Sequence, residues 1–186
     1  MTASVPPPAA PHPPPGPGEP DRDARPATLR LALPDEAATA ALAARLATAL
    51  APGTVVWLTG GLGAGKTTLV RGMLRALGHT GAVRSPTFTL LEPYNLPRFP
   101  VYHFALYRFT SPDEWRDTGF DEYFRGDGVC LVEWPELAGP ALPAPDLRIA
   151  LEFSGEAGDG GGARVARLEA SGHAGRRCLS AVAAAS

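Results

Sequence analysis

The sequence predicts a three-layer α/β domain whose central sheet is mostly parallel and ends in an antiparallel hairpin. Short continuous apolar runs, such as TVVWLT at 54–59 and GVCLVEW at 128–134, are typical of strands buried on both faces. Helical patterns separate these runs, and that alternation favours a layered α/β fold with parallel strands. Two further strand patterns, at 146–153 and 163–171, flank a glycine-rich loop, which indicates the hairpin.

The first half of this domain reads as strand, helix, strand. TLRLAL at 28–33 alternates like a short strand, and a helix is predicted over 35–50 with Asp35 at its cap position. The helix closes before Pro52 and Gly53. Its apolar stripe consists of Leu42, Leu46 and Leu50.

A second helix is predicted to follow the buried strand at 54–59 and to end at Gly78, a residue suited to the position after a helix. The segments 83–94 and 100–109 read as strand-rich, with Pro97 and Pro100 at the turn between them. The second helix directs five apolar side chains inward: Leu69, Val70, Met73, Leu74 and Leu77.

The segment 111–124 reads as a third helix. Ser111 and Glu114 have the spacing of a capping box, and Pro112 stands at the first helical position. The strand at 128–134 follows this helix and includes Cys130, which is expected to behave as a small core residue.

The chain is predicted to divide into a tail over 1–27 and one folded domain over 28–186. The tail is mostly Pro, Ala and Gly with a few charges, and it has no apolar periodicity. Such a segment buries too little apolar surface to offset the entropy of ordering, so we expect a disordered, partly polyproline tail. The tail is either an N-terminal extension without a function of its own or a docking site for a proline-binding partner.

Composition excludes several classes of protein. The formal net charge is −2, which gives no sign of a strongly basic nucleic-acid-binding surface. No apolar run approaches the roughly 20 residues that span a bilayer, and no signal-peptide core is visible. The two cysteines lack the spacing of a metal site or a disulfide framework. We therefore expect a soluble cytoplasmic protein with no membrane partner.

The stretch Gly60-x4-Gly65-Lys66-Thr67 satisfies the phosphate-binding P-loop pattern, between a buried strand and an amphipathic helix. Glycines let successive backbone N–H groups face phosphate oxygens, and the helix N-terminus adds its dipole. Lys66 is expected to reach the β- and γ-phosphates, and the Thr67 hydroxyl to bind Mg²⁺. Sixteen of the 17 basic residues are arginines, so Lys66 is the only lysine in the chain. The fold prediction thus becomes a P-loop NTPase-like domain.

An acidic residue near the metal is expected at the end of a neighbouring strand, and Glu133 ends the apolar run GVCLVEW. This edge is where α/β sheets place their ligands. Glu133 would hold Mg²⁺ through water or orient the attacking water. The alternative is an ordinary charged residue leaving a strand.

ATP is favoured as the nucleotide by elimination. A guanine-reading N-K-x-D element is impossible, because Lys66 lies in the P-loop, and the L-S-G-G-Q signature of ABC ATPases is absent. A small-molecule kinase stays open. Its substrate patch could draw on four arginines: Arg71, Arg75, Arg84 and Arg108.

Five stretches in order resemble the bacterial TsaE (YjeE) family, the ATPase component of the system that makes N6-threonylcarbamoyladenosine (t6A) on tRNA. The resemblance covers about residues 30–153 and rests on specific motifs. The matching stretches are LPDEAAT, GGLGAGKTT, GHTGAVRSPTFTLLEPY, VYHFALYR and CLVEWPE.

The resemblance implies one α/β domain that binds ATP and Mg²⁺ and hydrolyses ATP. It also implies docking on the TsaD–TsaB pair, which transfers the threonylcarbamoyl group to tRNA adenosine 37. The nucleotide cycle would reset that complex between turnovers. The protein would contact tRNA only indirectly, through the complex.

Site residues follow from the same resemblance. It implies that Lys66 and Glu133 are catalytic and that Thr67 and Glu133 serve the metal. Glu36 and Thr39 would lie near the base and sugar, and 85–87 (Ser-Pro-Thr) would be a switch loop that senses the γ-phosphate. The phosphates would be bound by Gly63, Ala64, Gly65, Lys66, Thr67 and Thr68.

Two positions depart from the family pattern. Ala105 stands where the family has the aspartate of H-F-D-L-Y-R, and Gly61 stands where its loop usually has an aspartate. Because phosphoryl transfer depends on positioning, we expect normal ATP binding and slow hydrolysis. The alternative is an ATP-binding scaffold that has lost hydrolysis. Asp121 or Glu92 could replace the missing carboxylate in space.

Four aromatic and polar side chains around these motifs have open roles. His103 is either a hydrogen-bonded structural residue of a strand or a catalytic one. Trp134 is either a core aromatic or an interface residue. Tyr107, with Arg108, would face the partner proteins or tRNA.

Overall fold

In the computed structural model, residues 27–86, 88–154 and 163–184 are described, and they form seven strands and four α-helices. The strands are β1 (Ala27–Leu33), β2 (Val55–Thr59), β3 (Leu91–Asn95), β4 (Pro100–Ala105), β5 (Val129–Glu133), β6 (Leu147–Phe153) and β7 (Arg164–Ala170). The helices are α1 (Glu36–Ala49), α2 (Lys66–Ala76), α3 (Asp113–Asp117) and α4 (Gly172–Ala183). Short 3₁₀ turns cover Phe120–Phe124, Pro135–Leu137 and Gly139–Ala141.

All the strands belong to one sheet in the order β1-β7-β6-β2-β5-β4-β3. Neighbouring strands are parallel from β6 through β2 and β5 to β4, and antiparallel at both margins. The parallel centre and the β6–β7 hairpin confirm the predicted fold class. The phosphate-binding loop leaves the centre of this parallel set, because it follows β2.

Helices α1, α2 and α4 cover one face of the sheet and enclose the larger core. The predicted stripes are confirmed, since every leucine of the α1 stripe and all five apolar side chains of α2 are buried. Asp35 caps α1, because its Oδ1 accepts from the Ala38 N–H at 2.7 Å. These contacts fix α2, which carries Lys66 and Thr67, against the sheet.

The opposite face, over β4 and β5, is covered by α3 and the 3₁₀ turns. Phe104 is the centre of an aromatic cluster there, with ring centroids 5.3 Å from Phe124, 5.4 Å from Phe120 and 6.1 Å from Trp115. Because strand side chains alternate, burying Phe104 on this face turns its neighbours His103 and Ala105 towards α2. The third layer is thus built mainly from turns.

Two expectations for individual elements were wrong. The predicted strand over 83–94 is confined to Leu91–Asn95, since Leu90 has a left-handed backbone (φ 62°) that interrupts any extended run. The predicted helix over 111–124 is a short α-helix and a 3₁₀ turn, separated at Gly119 with φ 70°. Its capping contacts do form, because Glu114 accepts from the Ser111 N–H at 3.0 Å.

Helix α4 was not predicted from the sequence at all. The predicted tail lies outside the described residues except for Ala27, which begins β1. The loop between the hairpin strands lies largely outside them too. No helix in the described part of the chain combines the length and apolar character needed to cross a bilayer.

Candidate functional site

The phosphate-binding loop spans 60–65 and links β2 to the first turn of α2. A side chain at Gly60 would collide with the backbone carbonyl of Leu151 on β6, so only glycine fits where the loop leaves the sheet. The loop then turns tightly, with the Ala64 N–H donating to the Gly61 carbonyl at 3.2 Å. Helix α2 begins at Lys66, which places its N-terminus at the loop.

A cavity of about 440 Å³ opens over this loop. The free N–H groups and dipole of a helix N-terminus favour an anion at such a place. The loop, the ends of β4 and β5, and Ser85 all contribute to its wall. Its lining comprises Leu62, Gly63, Ala64, Gly65, Lys66, Thr67, Thr68, Ser85, Ala105, Tyr107, Glu133 and Trp134.

Lys66 is 4% exposed and is held by its own loop. Its Nζ donates to the carbonyl oxygens of Gly60 at 2.6 Å and Gly61 at 2.9 Å, and lies 3.8 Å from the centroid of the Trp134 ring. Burial lowers the pKa of Lys66 below its usual value, while the nearby carboxylates of Glu133 and Glu136 act in the opposite direction. The ammonium group therefore already lies at the anion site.

Glu133 ends β5 on the face that carries Val129 and Leu131 into the core beneath α2. The alternation of the strand thus directs this carboxylate towards the start of α2. Thr67 Oγ1 donates to Glu133 Oε1 at 2.8 Å, and His103 Nε2 lies 2.8 Å from the same oxygen. Thr67 from the cavity wall and His103 from the core beneath it thus share one acceptor atom of Glu133.

Ala105 lies directly opposite Glu133 in the parallel register of β4 and β5, and it is 2% exposed. The suggestion that Asp121 or Glu92 replaces a carboxylate at this position is wrong. Asp121 Oδ1 accepts from Trp115 Nε1 at 3.0 Å and Glu92 Oε1 accepts from Thr89 Oγ1 at 3.1 Å, and neither lines the cavity. Glu133 is the one acidic side chain among the described residues of the lining.

Glu36 and Thr39 lie in a second cavity, of about 300 Å³, rather than in the first. Gly65 and Thr68 line both, so the second cavity adjoins the loop on its α1 side. The Thr39 hydroxyl is directed to the Asp35 carbonyl, to which it donates at 3.2 Å. This arrangement separates the predicted base and sugar residues from the phosphate side.

The predicted switch loop is described in part. Ser85 lines the first cavity, whereas position 87 lies outside the described residues. Trp134 is a cavity wall, with a left-handed backbone (φ 60°) that follows the strand end, rather than a core aromatic.

Sequence reasoning did not find Leu62 or Arg164 at the site. Leu62 lines the first cavity, and Arg164 lines the second and donates from its Nη2 to the Gly63 carbonyl at 3.2 Å. Arg164 begins β7, a hundred residues along the chain from the loop. No local pattern signals such a contact, because it depends on the pairing of β7 with β6.

The oxygens at the site fit a magnesium ion better than a transition metal. In the described part of the chain no three Asp, Glu, His or Cys side chains gather into a metal site. The Thr67 hydroxyl and the Glu133 carboxylate are adjacent hard oxygen donors. Magnesium is commonly held by one or two such protein groups together with substrate phosphates and water.

Comparison with known proteins gives a consistent result. A family model described as "Threonylcarbamoyl adenosine biosynthesis protein TsaE" matches residues 33–160. The tRNA threonylcarbamoyladenosine biosynthesis protein TsaE of Haemophilus influenzae is 47% identical over 103 residues, 55% of this chain and 65% of that protein. The protein of the same description from Bacillus subtilis is 47% identical over 118 residues, 63% of this chain and 73% of that one. The match thus spans just under two thirds of the Haemophilus relative.

A solved structure agrees with these sequence matches. The crystal structure of Bacillus subtilis YdiB superposes with a TM-score of 0.73 and 32% sequence identity. The superposition covers 88% of this chain and 99% of that one. The similarity therefore extends over most of this chain and not only over the loop.

Proposed function

This chain belongs to the TsaE family of threonylcarbamoyl adenosine biosynthesis proteins, and from that premise we propose that it is the ATP-hydrolysing accessory protein of tRNA threonylcarbamoylation. Its partners would be the TsaD–TsaB pair, and its nucleotide cycle would reset that complex after each transfer to adenosine 37. Contact with tRNA would come through the complex.

One observation carries the proposal: Lys66, Thr67 and Glu133 meet in a single cavity at the N-terminus of α2. The backbone of Gly63 to Thr68 supplies the anion cradle, and Lys66 supplies the charge that β- and γ-phosphates need. Glu133 would accept a hydrogen bond from a water molecule in the cavity. Thr67 and Glu133 would hold Mg²⁺, which neutralises developing phosphate charge when bound.

Apolar side chains around the cavity support a protein partner there. Leu62 is 85% exposed and Tyr107 is half exposed, and both line the cavity. Phe153 is also exposed and approaches the loop near Gly63. Phe88 is 87% exposed, and Arg108 lies 5.7 Å from its ring centroid. Exposed apolar groups gathered around the loop, as Leu62, Tyr107 and Phe153 are, are typical of an interaction surface.

Ala105 favours a second candidate, an ATP-binding scaffold with weak or lost hydrolysis. A methyl group stands opposite Glu133, and Gly61 adds no carboxylate to the loop. Phosphate binding by the cradle and Lys66 does not require those carboxylates, whereas aligning a metal and water for reaction does. This candidate keeps the same nucleotide and the same partners.

The deciding experiment measures Mg²⁺-ATP binding by calorimetry and ATP turnover, each for the protein alone and with TsaD–TsaB. We expect binding in both states and turnover that rises with the partners. Binding without turnover in either state would favour the scaffold. Absence of binding, with Lys66→Ala as the matched negative control, would contradict both.

A further inference from the structure

We propose that His103 is a positioning residue that holds the Glu133 carboxylate in place beside the Thr67 hydroxyl, in the orientation that metal binding needs. The inference rests on the proposed function, because it concerns the metal–nucleotide site of that function. It gives a role to a fully buried histidine that does not line the cavity itself.

The first argument is the shared acceptor. Thr67 Oγ1 and His103 Nε2 are both 2.8 Å from Glu133 Oε1, so two donors stabilise one carboxylate oxygen. A hydroxyl can ligate a metal through an oxygen lone pair while it donates its proton, so Thr67 would contact both the metal and Glu133. His103 would not be a metal ligand, so it fixes Oε1 independently of the metal.

The second argument concerns which nitrogen carries the proton. His103 is 0% exposed, and among the described residues its Nδ1 has no hydrogen-bond partner. A buried N–H without an acceptor is costly, so the proton belongs on Nε2, where the carboxylate accepts it. The imidazole therefore directs an N–H donor at Glu133.

The third argument is the position of His103 and Ala105 on the same strand. His103 and Ala105 lie on the same face of β4, since Phe104 between them enters the aromatic cluster on the other face. Ala105 contributes no polar atom opposite Glu133. In this chain the orientation of the carboxylate therefore depends on His103 more than it would with a second acidic residue at position 105.

Two variants separate a positioning role from a packing role. His103→Gln can place an amide N–H near the Nε2 position, whereas His103→Leu fills the space without a donor. Both are compared with the natural protein for ATP affinity in EDTA, for the Mg²⁺ concentration that half-saturates ATP binding, and for kcat and KM separately.

We expect ATP affinity in EDTA to stay within about two-fold in both variants, because the cradle and Lys66 are unchanged. His103→Leu should raise the half-saturating Mg²⁺ concentration or lower kcat by about 10- to 100-fold, the range found for groups that orient metal ligands. His103→Gln should recover most of that loss. Equal behaviour of the two variants, or no change in either, would overturn the inference.

A measurement on the unsubstituted, nucleotide-free protein covers the case in which His103→Leu does not fold. Histidine ¹⁵N chemical shifts should show that Nε2 of His103 carries a proton, and Glu133→Gln should shift that Nε2 resonance. An Nε2 without a proton would overturn the inference. Failure of the natural protein to bind ATP at all would instead contradict the proposed function, so the two failures are distinguishable.

Discussion

At position 105 a methyl group faces the Glu133 carboxylate across two parallel strands, at 2% exposure. An acidic side chain there would share a narrow space with Glu133, and two carboxylates so close repel each other unless a cation lies between them. Replacing Ala105 by an acidic residue should therefore lower the stability of the protein without a metal and raise it when a metal is bound.

For Ala105→Asp we expect a lower melting temperature in EDTA, a larger stabilisation by Mg²⁺-ATP than in the natural protein, and ATP turnover raised by about 10- to 100-fold. Calorimetric melts and a phosphate-release assay measure these changes. Ala105→Asn is the control, since it has the same shape without the charge and should show no such metal dependence. Unchanged turnover in Ala105→Asp would mean that Ala105 does not limit hydrolysis.

Lys66 gives a prediction for pH dependence. Burial lowers its pKa, so the folded protein releases this proton at a lower pH than the unfolded chain does. Between the two pKa values the unfolded chain binds more protons, and the free energy of unfolding rises with pH. The Lys66→Met variant lacks this titrating group. From neutral pH towards about pH 10, the free energy of unfolding of the natural protein should therefore rise relative to that of Lys66→Met. Urea titrations test this, and a flat or falling difference would contradict it.

At the scale of elements, α4 depends on one close approach. A side chain at Gly175 would collide with the Asp146 backbone carbonyl and would lie 3.1 Å from Ala170 Cα. This contact joins the helix to the start of β6 and the end of β7. The Asp146 carboxylate in turn accepts from the Val55 N–H at 2.9 Å, which ties the same corner to β2.

Gly175→Ala should destabilise the protein by about 1–3 kcal/mol, the usual cost of overpacking, although alanine is the better helix former. Ser180→Ala, on the exposed side of α4, is the control and should change stability by less than about 0.5 kcal/mol. Urea unfolding followed by circular dichroism measures both. A stabilised Gly175→Ala would show that α4 does not pack as described.

The elements that could be predicted are those whose own sequence decides them. One secondary structure fits each of three patterns well: a helix for the leucine stripe of α1 and for the apolar face of α2, and a buried strand for the continuous apolar run of β5. Helix α4 has Cys178, Leu179 and Val182 as its buried stripe, but two glycines and a pair of arginines weaken that pattern. It is stabilised by packing on the sheet, which a single sequence does not reveal.

The residues of the candidate site also fall into those that the sequence indicates and those that only the fold brings together. The loop motif and Glu133 were found because the chemistry of phosphate demands those residue types in that order. The bond from His103 to Glu133 was not found, because it depends on β4 pairing with β5 in one register. Arg164 was missed for the same reason, since β7 reaches the loop only through β6.

At the scale of the whole molecule, the two thiols report on its integrity. Burial raises the pKa of Cys130 to about 12 and that of Cys178 to about 11, so at about pH 8 each is almost wholly the unreactive thiol. One lies in the central sheet and the other in α4. We expect neither to react with a disulfide reagent within minutes in the folded protein, and both to react at once in concentrated urea. Immediate labelling of Cys178 alone would show that α4 separates from the sheet.

Gly60 has a consequence for how relatives of this chain are interpreted. Any side chain at Gly60 would collide with the Leu151 backbone of β6, so the fold itself requires this glycine. Selection would therefore keep it even in a relative that did not bind nucleotide. Gly61 has open space around it, and burial works against the charge of Lys66, so the fold demands these two residue types less strictly than it demands Gly60. Under the proposed function, a lineage that stopped binding ATP should therefore lose its lysine early and its first glycine late. The order of decay across genomes would record when the activity ended.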